Sequence, residues 1–136
     1  MADIKKLPES GSTLTSDSIR NRMFTDHARA HDYHLQTTSR SQHKMLKKLY
    51  KNLEDSKDSI CEYLLGIQAP KRFGQMQIGP TPLFSDVALS KFIDDGVKFS
   101  MQLCEYAREK NEEELCNMAS DLQGHWVKAK YLNTLK

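Results

Sequence analysis

Histidines and carboxylates are the side chains in this sequence whose spacing could support chemistry. Four of the five histidines fall within one short stretch: His27, His31, His34 and His43. On a helix, the first three would project within about 60° of arc. Asp58 and Glu62 follow at an i, i+4 spacing, which makes them neighbours on a helix surface. Helical bundles bind metal ions through inward-facing imidazole and carboxylate groups, so these residues form a candidate metal site.

The same residues also have ordinary structural explanations. A single histidine on an apolar helix stripe is usually a hydrogen-bonded, partly buried residue. Asp58 follows Glu54, Asp55 and Lys57, a charged run that is typical of a solvated helix face. His125, beside a tryptophan, is a further candidate ligand. The chain contains no Glu-x-x-His, which argues against a dinuclear centre of the carboxylate-bridged kind.

The first two helices that would position these groups are marked by their caps and apolar periodicity. Apolar residues at spacings of three and four predict a first helix over about 16–35, with Ser16 as its N-cap. A polar break at 36–41 leads to a second helix. We expect this helix to end near Gly66, because glycine is the common residue just beyond a helix C-terminus.

A long connection rich in proline and glycine separates the first pair of helices from the second. It covers about 67–84, which is longer than usual for a helix–helix loop, so we expect it to cross the bundle. Ser85 is the predicted cap of the third helix, and Asn111 that of a fourth over about 112–133. The fold prediction is therefore all-α: a four-helix bundle over 16–136 with a Pro/Gly-rich crossover between the second and third helices.

Composition limits the classes of protein to which the chain can belong. With 20 Lys and Arg against 18 Asp and Glu in 136 residues, it has no large basic field that would argue for nucleic acid. No apolar run approaches the roughly 18 residues of a membrane span. The three cysteines form no CxxC pair, which indicates reduced thiols and a cytoplasmic protein. Residues 1–15 are polar and predict an N-terminal tail.

The histidines and carboxylates resemble the metal ligands of the mini-ferritins, the Dps family of starvation-induced DNA-binding proteins. In that family the first helix contributes a His, and the second contributes a His, an Asp and a Glu four residues later. Here His31 and His43 are twelve residues apart, His43 and Asp58 fifteen, and Asp58 and Glu62 four. HDYHLQTTSRSQHKML and DLQGHWVKAKYL are similar to the short ferritin-like proteins of tailed bacteriophages. The similar stretches cover about 24–66 and 105–132.

The resemblance leaves two candidates for the ligand on the first helix. The family's histidine is usually followed by Trp, whereas His31 is followed by Asp32 and His34 by Leu35. The spacing to His43 favours His31. The local similarity of the letters HLQT to the family's His-Trp segment favours His34, so both remain candidates.

The resemblance implies a ferritin-like bundle that forms a shell, binds iron at subunit interfaces, oxidises Fe(II) and stores the product. It also implies a homo-oligomer, in which His31 or His34, together with His43, faces Asp58 and Glu62 of a second subunit. Iron is the expected metal, with manganese and zinc as alternatives. The competing hypothesis is a non-catalytic phage structural or interaction protein built on the same bundle.

Other partners follow from the resemblance and from the tail. DNA binding is a family trait, and six lysines are placed where they could contact phosphates: Lys5, Lys6, Lys44, Lys47, Lys48 and Lys51. Ordinary solubilising charge explains them better, because Glu54 and Asp55 directly follow the lysines of the second helix. A larger phage or host assembly that holds the N-terminal tail is a further expected partner, and no membrane is expected. The expected location is the cytoplasm, which is that of the host for a phage-encoded chain, or the virion.

Overall fold

The computed structural model describes residues 13–135, which form four α-helices. They are α1 (Ser16–Gln36), α2 (Arg40–Gln68), α3 (Asp86–Glu109) and α4 (Glu113–Asn133). Within the described range there is no strand, so the prediction of an all-α, four-helix protein is confirmed. None of these helices is both long and apolar enough to cross a membrane. The predictions for Lys5, Lys6 and most of the N-terminal tail concern residues outside the described range.

The N-termini of α1 and α3 are capped by side chains. The prediction of Ser16 as the cap of α1 was wrong by one residue, because Thr15 occupies that position. The Thr15 hydroxyl accepts a hydrogen bond from Ser18 N, and the Ser18 hydroxyl accepts one from Thr15 N, which forms a capping box. The prediction for Ser85 is confirmed, since its hydroxyl accepts from Ala88 N at the start of α3.

Two predicted helix boundaries differ from the structure. Gly66 lies inside α2, which continues to Gln68 and stops just before Pro70, because the residue that precedes a proline disfavours helical geometry. Asn111 does not cap α4. Its φ of 57° places it in the left-handed region, where asparagine is tolerated, and Glu112 is the N-cap without a side-chain hydrogen bond.

The helices pack as two hairpins, α1 with α2 and α3 with α4, and α2 packs on α4. Residues 69–85 connect the hairpins, and we call them the connecting segment. Its backbone is hydrogen-bonded to side chains spaced four apart along α1: Asp17 to Gly74 N, Asn21 to Gln77 N, Thr25 to Gly79 N, Arg29 to Pro80 O and Tyr33 to Pro82 O. At the far end of this path, Gln42 of α2 donates to Asp86 of α3.

Trp126 lies at the centre of the apolar core and is fully buried. Its indole packs edge-on against Phe92 of α3, with 5.0 Å between ring centroids. A Cβ atom at Gly96 would lie 2.2 Å from the Trp126 ring, so only glycine fits there. The low helix propensity of glycine at this position is therefore offset by the packing of the largest side chain in the core.

Substitution of Gly96 by alanine is expected to destabilise the fold. The new methyl group would overlap the Trp126 ring, and relieving such an overlap in a packed core costs about 1–3 kcal/mol. Urea unfolding monitored by circular dichroism measures this loss. Gly66→Ala is the matched control, since it adds the same methyl group where no atom lies within 4 Å. It should stabilise the protein by about 0.5–1 kcal/mol through helix propensity. Equal effects of the two changes would refute the packing argument.

Asp26 is a buried carboxylate on the side of α1 that faces α3. Arg22 Nε lies 2.9 Å from its Oδ2 atom. Burial raises the pKa of Asp26 to about 6, and the nearby Arg22 guanidinium only partly opposes this rise. A carboxyl group whose pKa is higher in the folded state stabilises the fold when it is protonated. This contribution is full below the unfolded-state pKa of 3.8 and is lost as the pH rises through about 6.

Asp26→Asn should therefore change how stability depends on pH. As the pH rises from about 4.5 to about 7, we expect wild type to lose about 2 kcal/mol of unfolding free energy relative to D26N, because one pKa unit corresponds to about 1.4 kcal/mol. Urea titrations of both proteins across this range measure the difference, and other titrating groups cancel in the comparison. A difference that stays constant with pH would contradict the raised pKa.

Candidate metal centre

The tight turn between α1 and α2 brings the predicted histidines together. α1 ends at Gln36 and α2 begins at Arg40, so the last turn of one helix lies beside the first turn of the other. The Ser39 hydroxyl, which accepts from Gln42 N, caps α2 and fixes this approach. His34 is buried, whereas His31 and His43 are exposed. We call His31, His34, His43 and Tyr50 the histidine cluster.

His34 and His43 form a symmetric pair across the turn. Their rings stack, with centroids 3.9 Å apart and planes inclined by 29°. His34 Nδ1 is 3.1 Å from the carbonyl oxygen of His43, and His43 Nδ1 is 3.1 Å from the carbonyl oxygen of His34. A carbonyl oxygen can only accept a hydrogen bond, so each Nδ1 must carry a proton and donate it.

These two hydrogen bonds determine which ring nitrogens are available for chemistry. In a neutral imidazole with a protonated Nδ1, the Nε2 atom bears a free lone pair. Among the described residues, neither Nε2 of the His34–His43 pair has a hydrogen-bond partner. A backbone carbonyl bound to Nδ1 is the usual arrangement behind a metal-binding histidine, because it fixes both the tautomer and the ring orientation.

Tyr50 packs against the histidines two helical turns beyond His43 on α2. Its ring stacks on His31 at 4.5 Å and lies 5.2 Å from His34, measured between ring centroids. His27 lies beyond it at 6.1 Å, and burial, followed by the charge of Lys57, lowers the pKa of His27. The cluster therefore continues along the α1–α2 interface as a row of rings.

Asp58 and Glu62 lie apart from the histidine cluster within one chain. Both are exposed on α2. Fifteen residues separate His43 from Asp58, which is about 22 Å along an α-helix. The residues that the structure describes contain no group of three or more His, Cys, Asp or Glu side chains able to hold one metal ion. Within one chain, the predicted histidines therefore lie close together, and the predicted carboxylates lie outside the histidine cluster.

The remaining candidates are also separate from the cluster. His125 lies between α2 and α4, where it lines small surface grooves with residues such as Lys128 and Asp121. The four lysines proposed for phosphate contact on α2 are exposed, and none of them has an ion-pair partner among residues 13–135: Lys44, Lys47, Lys48 and Lys51.

Sequence reasoning missed the part that Tyr50 plays in the cluster. Tyr50 was not among the candidate site residues. It follows His43 by seven residues, which is two helical turns, so both side chains lie on one face of α2. This spacing from His43 was the signal that could have identified it.

The described structure thus defines an all-α, four-helix protein with a paired-histidine site at the α1–α2 turn. Residues 34–132 match the family described as "Family of unknown function (DUF5856)", and the chain belongs to that family. The matched region includes the His34–His43 pair, Tyr50, Asp58 and Glu62. No curated protein and no solved structure matches the chain.

The protonation state of the histidine pair is directly measurable. At a pH where imidazole is neutral, about 8, we expect the ¹⁵N chemical shifts of His34 and His43 to report the tautomer with a proton on Nδ1. In solution, free histidine prefers the proton on Nε2. His125, which is half-buried and has no hydrogen bond among the described residues, serves as the internal comparison. An Nε2–H tautomer at either residue of the pair would contradict the reciprocal hydrogen bonds.

Proposed function

We propose that this protein is a ferritin-like, Dps-type metal-binding protein that oxidises and stores iron at subunit interfaces. The observation that carries the proposal is the His34–His43 pair, whose Nδ1 atoms are both occupied by backbone carbonyls. Each Nε2 atom is thereby left with a free lone pair, and the exposed His31 ring lies 6.2 Å from the His34 ring, measured between centroids. Imidazole nitrogen suits iron and zinc, and carboxylate oxygen suits manganese, so the proposed site combines both ligand types.

The chain path supports a ferritin-like arrangement. The connecting segment follows α1 from Asp17 to Tyr33, and α3 then begins beside the first turns of α2. Consequently α2 and α3 run in the same direction, which requires a long crossover of the kind found in ferritin-like bundles. This path supports the proposal that the Pro/Gly-rich segment acts as a ferritin-like crossover.

The carboxylates of the proposed site come from a second copy of the chain. Asp58 and Glu62 are exposed and lie too far from His43 of their own chain to share an ion with it. In a two-fold dimer each surface meets its own copy, so the histidines of one subunit can face the carboxylates of the other, and two equivalent sites form. The proposed function therefore requires a homo-oligomer.

Each group would have a distinct task. Asp58 and Glu62 would supply the anionic oxygens that compensate the charge of bound Fe(II), and the histidines would supply nitrogen donors. Iron is the substrate here: Fe(II) loses one electron to an external oxidant and leaves as Fe(III) for storage. Tyr50, stacked on His31, would hold the imidazole in place during this turnover.

Removal of the carboxylates should abolish iron chemistry without unfolding the protein. In the double variant Asp58→Asn, Glu62→Gln, two anionic ligands disappear at constant size, so we expect iron affinity to fall by at least about tenfold. Fe(II) binding by titration and Fe(III) formation by absorbance measure the loss. The stability change should stay below about 1 kcal/mol, since both groups are exposed.

Matched controls identify the ligands. Asp55→Asn removes an exposed carboxylate of the same helix and should leave iron oxidation unchanged. His31→Gln and His34→Gln, compared with His43→Gln, determine which α1 histidine is a ligand.

Light scattering should report an oligomer of the wild type. A strict monomer at micromolar concentration, or a wild type that takes up no Fe(II), Mn(II) or Zn(II), would refute the proposed function.

The second candidate function is a non-catalytic structural or interaction protein, such as a phage component. It is favoured by the absence of any group of three metal-binding side chains among the described residues of one chain. In that case the His34–His43 pair only fastens the α1–α2 turn. An oligomer that binds no metal would favour this candidate.

A further inference from the structure

A groove of about 390 Å³ lies between α1 and α3, on the opposite side of α1 from the histidine cluster. These helices approach each other at only a few positions, so polar side chains rather than apolar ones fill the space between them. The polar residues that line it are Arg22, Thr25, Asp26, Arg29, Asp95, Lys98 and Gln102. We call this feature the α1–α3 groove.

The cations of the groove outnumber its available carboxylates. Arg22 is already paired, since its Nε donates to Asp26 and its Nη2 to the Asp95 carbonyl. Arg29 donates one hydrogen bond, from Nη2 to Pro80 O, and has no carboxylate oxygen within 4.0 Å in the described part of the chain. Lys98 is exposed and equally unpaired there, because the nearby Asp95 carboxylate is bound to Lys91. Two cations without counter-ions therefore line one concave surface.

The groove is organised before any ligand arrives. The Arg29 guanidinium lies over the Phe92 ring at 5.7 Å, and the Arg22 guanidinium over Phe99 at 4.7 Å. Stacking on a ring fixes the plane of a guanidinium and leaves its N–H groups free at the edge, where they can bind an oxyanion. The Thr25 hydroxyl accepts a hydrogen bond from Gly79 N and can still donate its own proton.

We propose that the α1–α3 groove binds a small ligand through a phosphate, sulfate or carboxylate group held by Arg29 and Lys98. Neither residue has a counter-ion among residues 13–135, and a partly buried arginine gains most from a charge-assisted hydrogen bond with an oxyanion. The volume admits a small metabolite but not a polymer. This site is independent of the iron site proposed above.

Asp26 makes this binding sensitive to pH. The charged groups that face it are Arg22 and Arg29 from α1 and Asp95 and Lys98 from α3. When ionised, Asp26 repels an incoming anion and holds Arg22. Because burial raises the pKa of Asp26 to about 6, a modest fall in pH removes this repulsion.

Sulfate is the appropriate probe, because its charge stays constant across the range in which Asp26 titrates. Calorimetric titration at constant ionic strength, with chloride as the balancing anion, should show saturable binding of one sulfate per chain that is tighter at about pH 5.5 than at about pH 7.5. Asp26→Asn should bind equally well at both pH values. Arg29→Gln should weaken binding about tenfold, as expected for the loss of a charge-assisted hydrogen bond.

Two further variants keep the test decisive. Lys98→Gln alters an exposed side chain and should weaken sulfate binding severalfold without loss of stability. This variant therefore tests the proposed site even if Arg29→Gln does not fold. Arg72→Gln removes an exposed arginine outside the groove and should change nothing. His43→Gln should also bind sulfate normally, which separates this site from the iron site. Absence of saturable binding, or equal affinity in wild type and Lys98→Gln, would overturn the proposal.

Discussion

The fully buried indole of Trp126 needs a place on α3 that has no side chain, and Gly96 supplies it. The contact fixes how α4 lies against α3, and further edge-on ring contacts extend from it. Trp126 meets Phe92, Phe92 meets Tyr33 of α1, and Tyr33 meets Phe84 of the connecting segment. Tyr33 immediately precedes His34. The candidate metal centre is therefore anchored to the core through adjacent residues of one helix.

The two sides of α1 are held by different physical forces. Towards α2, buried aliphatic residues and stacked imidazoles form the contact, as with Ile19, Met23 and the histidine cluster. Towards α3, the contact is made by arginines lying over phenylalanine rings and by a buried carboxylate. A buried charge at such an interface loses hydration and needs a partner. The i, i+4 spacing of Arg22 and Asp26 on α1 supplies this partner for the buried carboxylate.

The sequence was sufficient to predict the helices, because their apolar periodicity and polar caps are local signals. Ser85 illustrates this success. The errors at Ser16, Gly66 and Asn111 came from competing local signals: a better cap one residue earlier, a proline beyond the glycine and a left-handed backbone at the asparagine. Helix periodicity also correctly predicted that His27, His31 and His34 lie on one side of α1. It could not show the reciprocal bonds of His34 and His43 or the α1–α3 groove, since these depend on distances between helices.

The connecting segment has a consequence for which positions tolerate change. Side chains of α1 bind it mainly through its backbone N–H and C=O groups, which are the same in almost every residue type. The path of the segment is thus specified largely by side chains at every fourth residue of α1, from Asp17 to Tyr33, and by the packing of Phe84 of the segment on Tyr33. Exposed positions such as Gln75 and Met76 are free to vary, so this stretch can acquire new surface chemistry while the bundle stays unchanged.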